Sequence, residues 1–371
     1  MAQTKKRRRK SANRTRAMTV QAWNWVAVGL GAAALAAVLV ILSLLQNEWF
    51  FSFYPAVSRT VQKGIAWVTG FCPLCIWELA ILLLLIWAVA SLIRAVRRKR
   101  KLQWLCGFLA GISVGVSAFI ILWGINHLGP TIDQKLGLEK REYSVEELTE
   151  AAVFYLKDAN EWSAQVVRNE DGTVKMDSFE NLASAAGQGY AILAETEPMF
   201  QGSLAKPKKL LSWKLMNWFG NTGIFVCLTG ESCVNPDTDT ASLPFTMCHE
   251  VGHRMAVAAE DEANFCAYLA CRAHPDSQFR YSGAYSAFLY CYNAVYKVSP
   301  KTAAALWERA DAGIRADIEA AGEHYAQYEG AVQDAAQKVN DTYLKAFQET
   351  SGIQSYGEVA DLLIALYFAE K

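Results

Sequence analysis

Several things are missing or scarce in these 371 residues. Net charge is one, with 36 basic residues against 36 acidic ones. A chain balanced in this way is not built as a whole to seek nucleic acid. Histidine is another: there are only five, and two of them stand four residues apart at 249 and 253. No apolar run of membrane-spanning length encloses those two, which argues against a protease buried inside the bilayer. The first apolar run is too long for a cleaved signal peptide and lacks a small-residue cleavage site, so it reads as an uncleaved signal anchor. No thioredoxin-like pattern surrounds Cys72-Pro73-Leu74-Cys75. These two cysteines read better as small residues or a local disulfide at a membrane turn than as a redox pair.

What is present divides unevenly. Lys5, Lys6, Arg7, Arg8, Arg9, Lys10, Arg14 and Arg16 form a basic tail with no acidic residue among them. A nucleic-acid arm would have this composition, but so would a cytoplasmic anchor beside a membrane span. The next segments favour the anchor. Trp23 to Leu45 and Trp104 to Ile125 are uncharged apolar runs, and Leu74 to Ile93 is interrupted only by Glu78. Each is near the roughly 20 residues that cross a bilayer. Tryptophans 23, 25, 49, 77, 104 and 123 gather at the run ends, as interfacial aromatics do.

Orientation follows from the basic residues. The tail holds eight and the loop from Arg94 to Lys101 holds six, while the loop between the first two runs holds Arg59 and Lys63. The expectation is a multi-pass protein of the cell membrane, with a cytoplasmic N-terminus and an extracytoplasmic C-terminal domain. The boundaries read as a tail over 1–22, a three-span anchor over 23–125, a linker over 126–142 and a domain over 143–371. The outer part carries 20 basic and 34 acidic residues, which excludes nucleic acid as its partner. Six of the nine cysteines lie there, where disulfides can form.

The chemistry concentrates in His249-Glu250-Val251-Gly252-His253 and the Glu260-Asp261-Glu262-Ala263-Asn264 that follows. On a helix, positions 249 and 253 project from one face, so both imidazoles can grip one ion. Glu250 is turned away from that pair and is placed to take a proton from a metal-bound water. Thr246 is a candidate cap for this helix. A catalytic zinc usually has three protein ligands and one open position, and either Glu260 or Glu262 supplies the third. If it is Glu260, Asn264 lies four residues on, and its side-chain oxygen can hold a ligating histidine in one tautomer. If it is Glu262, the corresponding residue is Cys266, a poor acceptor. The spacing therefore favours Glu260, with Glu262 as the alternative. The blander reading of the motif is two histidines and a glutamate on a solvated helix.

The rest of the outer domain reads as mostly helical. Ser144-Val145-Glu146-Glu147 resembles a capping box, and Asn169 to Gly172 a turn. Lys206-Pro207-Lys208-Lys209 reads as a solvated basic loop. Gly223 to Thr229 is the best strand, with β-branched and aromatic residues between glycines. Cys227, Leu228, Thr229, Gly230 and Glu231 are candidates to line a cleft and pair with an extended substrate. Tyr281, Tyr285 or His274 is a candidate to stabilise an oxyanion, with His324 a weaker one. After Pro300 come long alanine-rich helices with a break at Gly352 to Gly357.

Three N-terminal spans, the Thr229-Gly230-Glu231 strand end, the His-Glu-x-x-His run, Glu260-x-Glu262-Ala263-Asn264-Phe265 and a late Val339-to-Lys345 segment together resemble a bacterial family. Its members are membrane proteins with a domain of unknown function and a zinc-peptidase-like motif. Glu-x-x-Ala-Asn is also similar to the third-ligand element of glutamate-type zinc peptidases (gluzincins), with Asn264 in place of their Asp. The resemblance implies a glycine three residues after His253, where this chain has Ala256. The expected fold is mainly α: three transmembrane helices plus a mostly helical, zincin-like (α+β) domain with a small sheet. The expected function is a zinc metallopeptidase with one zinc ion and a polypeptide substrate. In it Glu250 serves as general base, and His249, His253 and Glu260 hold the metal. The alternative is a membrane-tethered binding or scaffold protein whose zinc site is structural or inactive.

Overall fold

The computed structural model of the chain describes residues 2–346 and 356–371. The helices are α1 (Ala2–Leu45), α2 (Asn47–Thr69), α3 (Ile76–Arg97), α4 (Lys101–Leu122), α5 (Ile132–Leu136), α6 (Val145–Ser163), α7 (Phe179–Ala185) and α8 (Gln188–Leu193). Strand β1 (Lys208–Lys209), helix α9 (Trp213–Phe219) and strands β2 (Gly223–Val226) and β3 (Glu231–Val234) follow. Then come α10 (Leu243–His253), α11 (Glu260–Ala273), α12 (Ser277–Val298), α13 (Pro300–Arg309), α14 (Ala312–Ala326), α15 (Ala331–Ala346) and α16 (Tyr356–Glu370). The fold is mainly α with one small sheet, as the composition and periodicity imply. The break expected from Gly352 falls mostly outside the described residues.

The chain forms two compact units, one of residues 1–50 and 77–128, the other of residues 51–76 and 129–371. The first holds three helices long and apolar enough to cross a membrane: Thr19–Leu45, Ile76–Arg97 and Lys101–Leu122. Within it α1 packs on α4. Small residues make the close approach possible: a side chain on Gly29 would come within 3.2 Å of the Ala110 backbone. Ser113 Oγ also donates to the Gly29 carbonyl at 2.8 Å.

The segment between the first two spans is a helix, and most of it belongs to the second unit rather than to the membrane anchor where the sequence places it. On α2, Phe51, Tyr54, Ser58, Gln62 and Ala66 are buried at three- and four-residue spacing, one stripe of an amphipathic helix. The stripe lies against the turn after β2. Gln62 Nε2 donates to the Cys227 carbonyl at 3.1 Å, and a side chain on Gly230 would meet the Ala66 amide nitrogen at 2.9 Å.

The sheet has the order β1-β3-β2. β1 runs parallel to β3, and β2 runs antiparallel with Phe225 opposite Ser232. The Lys206–Lys209 run is therefore not a solvated loop. Lys208 is buried, and its three donors are spent on the Thr69 carbonyl (2.9 Å), the Leu74 carbonyl (3.1 Å) and Glu231 Oε1 (2.6 Å). Behind the sheet, α6, α10, α11, α12 and α16 supply one continuous core that includes Tyr155, Met247, Val251, Phe265, Phe288 and Leu363. The capping box at Ser144 is formed, with Ser144 Oγ accepting from the Glu147 amide and Glu147 Oε2 from the Ser144 amide.

Candidate metal centre

α10 starts four residues earlier than the sequence suggests. Pro244 occupies its first turn, where a missing amide proton costs nothing. Asp239 takes the amides of Ala241 and Ser242 just ahead of it. Thr246 is therefore inside the helix, with its hydroxyl turned back on the Ser242 carbonyl at 3.0 Å. The C-terminal half of α10 carries His249, Glu250 and His253. The chain then reverses through Met255 and Ala256 and enters α11 at Glu260. Ala256 has φ +64°, the left-handed conformation that favours glycine. The expected tight turn is thus present, with alanine in the strained position.

This reversal brings Glu260 across to the two histidines. His249 Nε2 lies 3.2 Å from Glu260 Oε2, and His253 Nε2 lies 3.7 Å from Glu260 Oε1. Ligand atoms of the three residues all fall within 4.8 Å of one another. A tetrahedral ion with bonds of about 2.0–2.2 Å needs neighbouring ligand atoms roughly 3.3–3.6 Å apart; the two histidine–carboxylate separations lie near that range, and two imidazoles with one carboxylate are a donor set of the kind zinc takes. Each histidine has its other ring nitrogen engaged: His249 Nδ1 with Asn264 Oδ1 at 2.9 Å, and His253 Nδ1 with the Val257 carbonyl at 2.8 Å. Both partners are acceptors, so each Nδ1 carries a proton; on His249 the burial that lowers it is outweighed by the Glu260 carboxylate, which pushes it up to about 9. Burial pushes His253 down to about 4, keeping it neutral.

Glu250 lies beneath this group. Its side chain is buried, and Oε2 has no hydrogen-bond partner. Burial pushes the carboxyl up to about 8. β2 passes directly over it: a side chain on Gly223 would come within 2.3 Å of Glu250 Oε1 and 2.8 Å of Cγ. Only glycine lets the strand approach this closely. Phe225, two residues on, lies over the His253 ring at a centroid distance of 6.1 Å. Ser232 on β3 donates to the Glu250 carbonyl at 2.5 Å. On the far side of α10, the Tyr190 hydroxyl donates to the Cys248 carbonyl at 3.0 Å. Gly223 and Phe225 lie in the strand read from the sequence, but only its crossing over α10 places them beside the site. Ser232 and Tyr190 carry no sequence signal of their own.

Other sequence candidates lie elsewhere. Glu262 faces away from the histidines and accepts the Ile132 amide at the start of α5 at 2.9 Å, and burial pushes its carboxyl up to about 7. Tyr281 is buried with its hydroxyl on Asp317, beside Arg168, which pairs with the same carboxylate at 2.9 Å. Tyr285 is buried next to Tyr281 and is raised by desolvation and by Asp239. His274 is fully buried, donates to the Ala185 carbonyl at 3.0 Å, accepts the Asp276 amide and stacks on Phe279. These three hold helix junctions together and do not reach the site. His324 packs on Tyr325 and Tyr328.

The proposed substrate stretch is shifted as well. Cys227 to Gly230 is the turn between β2 and β3, and Glu231 is buried on Lys208. The strand beside the site is Gly223–Val226. It lies at an edge of the sheet, because among the described residues only β3 pairs with it. None of the nine cysteines is in a disulfide, and Cys75 Sγ lies 2.8 Å from Cys233 Sγ. Cys72 and Cys75 are not bonded to each other.

A family model described as "protein of unknown function (DUF3810)" matches residues 50–364. No curated protein and no solved structure matches the chain. The chain belongs to the DUF3810 family.

Proposed function

We propose that this DUF3810 protein is a membrane-anchored zinc metallopeptidase whose site faces the extracytoplasmic side. The observation that carries the reading is the convergence of His249, His253 and the Glu260 carboxylate beside a buried glutamate with an unpaired oxygen. His249, His253 and Glu260 would hold the ion. Zinc held there would supply Lewis acidity, enough to bring the pKa of a water towards neutrality.

The chain's own residues supply the rest. Asn264 and the Val257 carbonyl fix the two imidazoles in the ligating tautomer. Glu250 takes the proton of the attacking water and returns it to the leaving amine. Its raised carboxyl suits both tasks near neutral pH. A peptide substrate in extended form adds to the open edge of β2, where backbone amides and carbonyls hold it alongside Glu250. That mode of binding asks little of the substrate's side chains and suits unfolded polypeptide.

Glu250 also separates this reading from a tethered scaffold with a structural zinc, which has no use for a buried base. The full-length protein should bind about one zinc per chain and cleave an unfolded polypeptide. Glu250→Gln should keep the zinc and lower the cleavage rate by about 10²–10⁴-fold. Cleavage by Glu250→Gln at the wild-type rate would remove the peptidase reading.

A further inference from the structure

A second site of a different kind lies among the membrane helices. α3 and α4 are joined by a three-residue turn, Arg98-Lys99-Arg100. Lys99 takes φ +55° there, and the Arg100 amide donates to the Ala95 carbonyl at 2.8 Å. The turn folds α4 back beside α3 and sets Arg94, Arg98 and Arg100 around one cavity of about 310 Å³, with α1 closing its side through Gln21 and Trp25.

The cavity is built from defined contacts. Trp104 Nε1 donates to Ser91 Oγ at 2.8 Å, and its ring stacks on Phe108 at 4.9 Å. Gly107 leaves room for the Trp25 indole, which a side chain there would touch at 3.6 Å. Gln103 and Gln21 are hydrogen-bonded across the mouth.

Its electrostatics are one-sided. Among the described residues no carboxylate lines the cavity, and the unit's sequence holds only two acidic residues, Glu48 and Glu78. Arg100 Nε is buried without a hydrogen-bond partner. Three guanidiniums with no anion beside them, next to exposed indoles of Trp25 and Trp87, are complementary to a group that is anionic at one end and apolar at the other.

We propose that this cavity binds the phosphate of an anionic membrane lipid. Arg94, Arg98 and Arg100 take the phosphate oxygens, and Trp25 and Trp87 lie along the glycerol and upper acyl chains. The positive-inside rule assigns this end of the spans to the cytoplasmic leaflet, where anionic lipids concentrate.

The test uses the full-length protein in mild detergent, with retention of phosphatidylglycerol read by native mass spectrometry. Replacing Arg94, Arg98 and Arg100 together by Gln should reduce retention about tenfold or more. Replacing Arg97, Lys99 and Lys101 by Gln removes the same charge from the same turn outside the cavity and should leave retention near wild type. Circular dichroism confirms that both variants keep their helices. Equal loss in the two variants, or loss in neither, overturns the proposal. Competition with millimolar inorganic phosphate separates the sources: displacement assigns recognition to the phosphate alone, and persistence assigns it to phosphate and acyl chain together.

Discussion

Glu260 and Glu262 are two residues apart in sequence but lie about 200° apart around α11. They cannot both face the histidines. Glu260 shares a helix face with Asn264, which holds His249 at 2.9 Å, while Glu262 accepts the first amide of α5. The two substitutions should therefore separate cleanly. Glu260→Gln should lower zinc affinity by about 10–100-fold or more with little change in the metal-free Tm. Glu262→Ala should leave zinc affinity unchanged and lower Tm, because the Ile132 amide at the start of α5 loses its acceptor. Isothermal titration with zinc and a thermal scan of each variant check this; greater loss of zinc at Glu262 would reverse the assignment. Ala256 gives a second test at the same scale. It is held at φ +64°, where a Cβ costs about 1 kcal/mol that glycine does not incur. Ala256→Gly should raise stability by about that amount, measured by urea unfolding, without altering the ligands on either side of the turn.

The elements around the site are placed by one close crossing, that of β2 over α10. Gly223 sits 2.3 Å, by its missing Cβ, from Glu250 Oε1. Gly223→Ala should displace the carboxylate while leaving His249, His253 and Glu260 in place. The expected result is unchanged zinc stoichiometry with a cleavage rate lower by about 10–100-fold, read on the same unfolded substrate. Loss of zinc would show that the strand supports the ligands rather than the base. The crossing also marks where sequence reasoning stops. Spacing four apart made the histidine pair legible, and the Asn264 partner followed from the same periodicity. That Tyr281, Tyr285 and His274 stand away from the histidine pair did not follow. Tyr281, Tyr285 and His274 have the right chemistry, but their direction depends on how α12 meets α14 and α7. The strand was recognisable by composition, yet its turn was read as its edge, since Cys227 to Gly230 is fixed by Gln62, 165 residues earlier. Lys208 was illegible for the same reason, because its acceptors at Thr69 and Leu74 lie more than 130 positions away.

At the scale of the whole molecule, the chain crosses between its two units more than once. Residues 51–76 belong with 129–371, although two of the three apolar helices intervene in sequence. The unit that carries the His249, His253 and Glu260 cluster is therefore not simply the part that follows the last apolar helix. Phe51 and Tyr54 pack edge to face at 5.9 Å in the buried stripe of α2, and burying two such side chains is worth about 3–6 kcal/mol together. Without residues 51–76, Lys208 also loses its carbonyl acceptors at 69 and 74, leaving one buried ion pair with Glu231 where there had been a satisfied network. A soluble chain of residues 129–371 should therefore be marginal or aggregated. A chain in which residues 51–76 are joined to 129–371 by a flexible linker should unfold cooperatively and bind zinc. Urea unfolding of the two chains followed by tryptophan fluorescence makes the comparison. Equal midpoints would mean that α2 is carried by the domain without supporting it, whereas a midpoint found only with residues 51–76 present would make that helix a structural part of the site's scaffold.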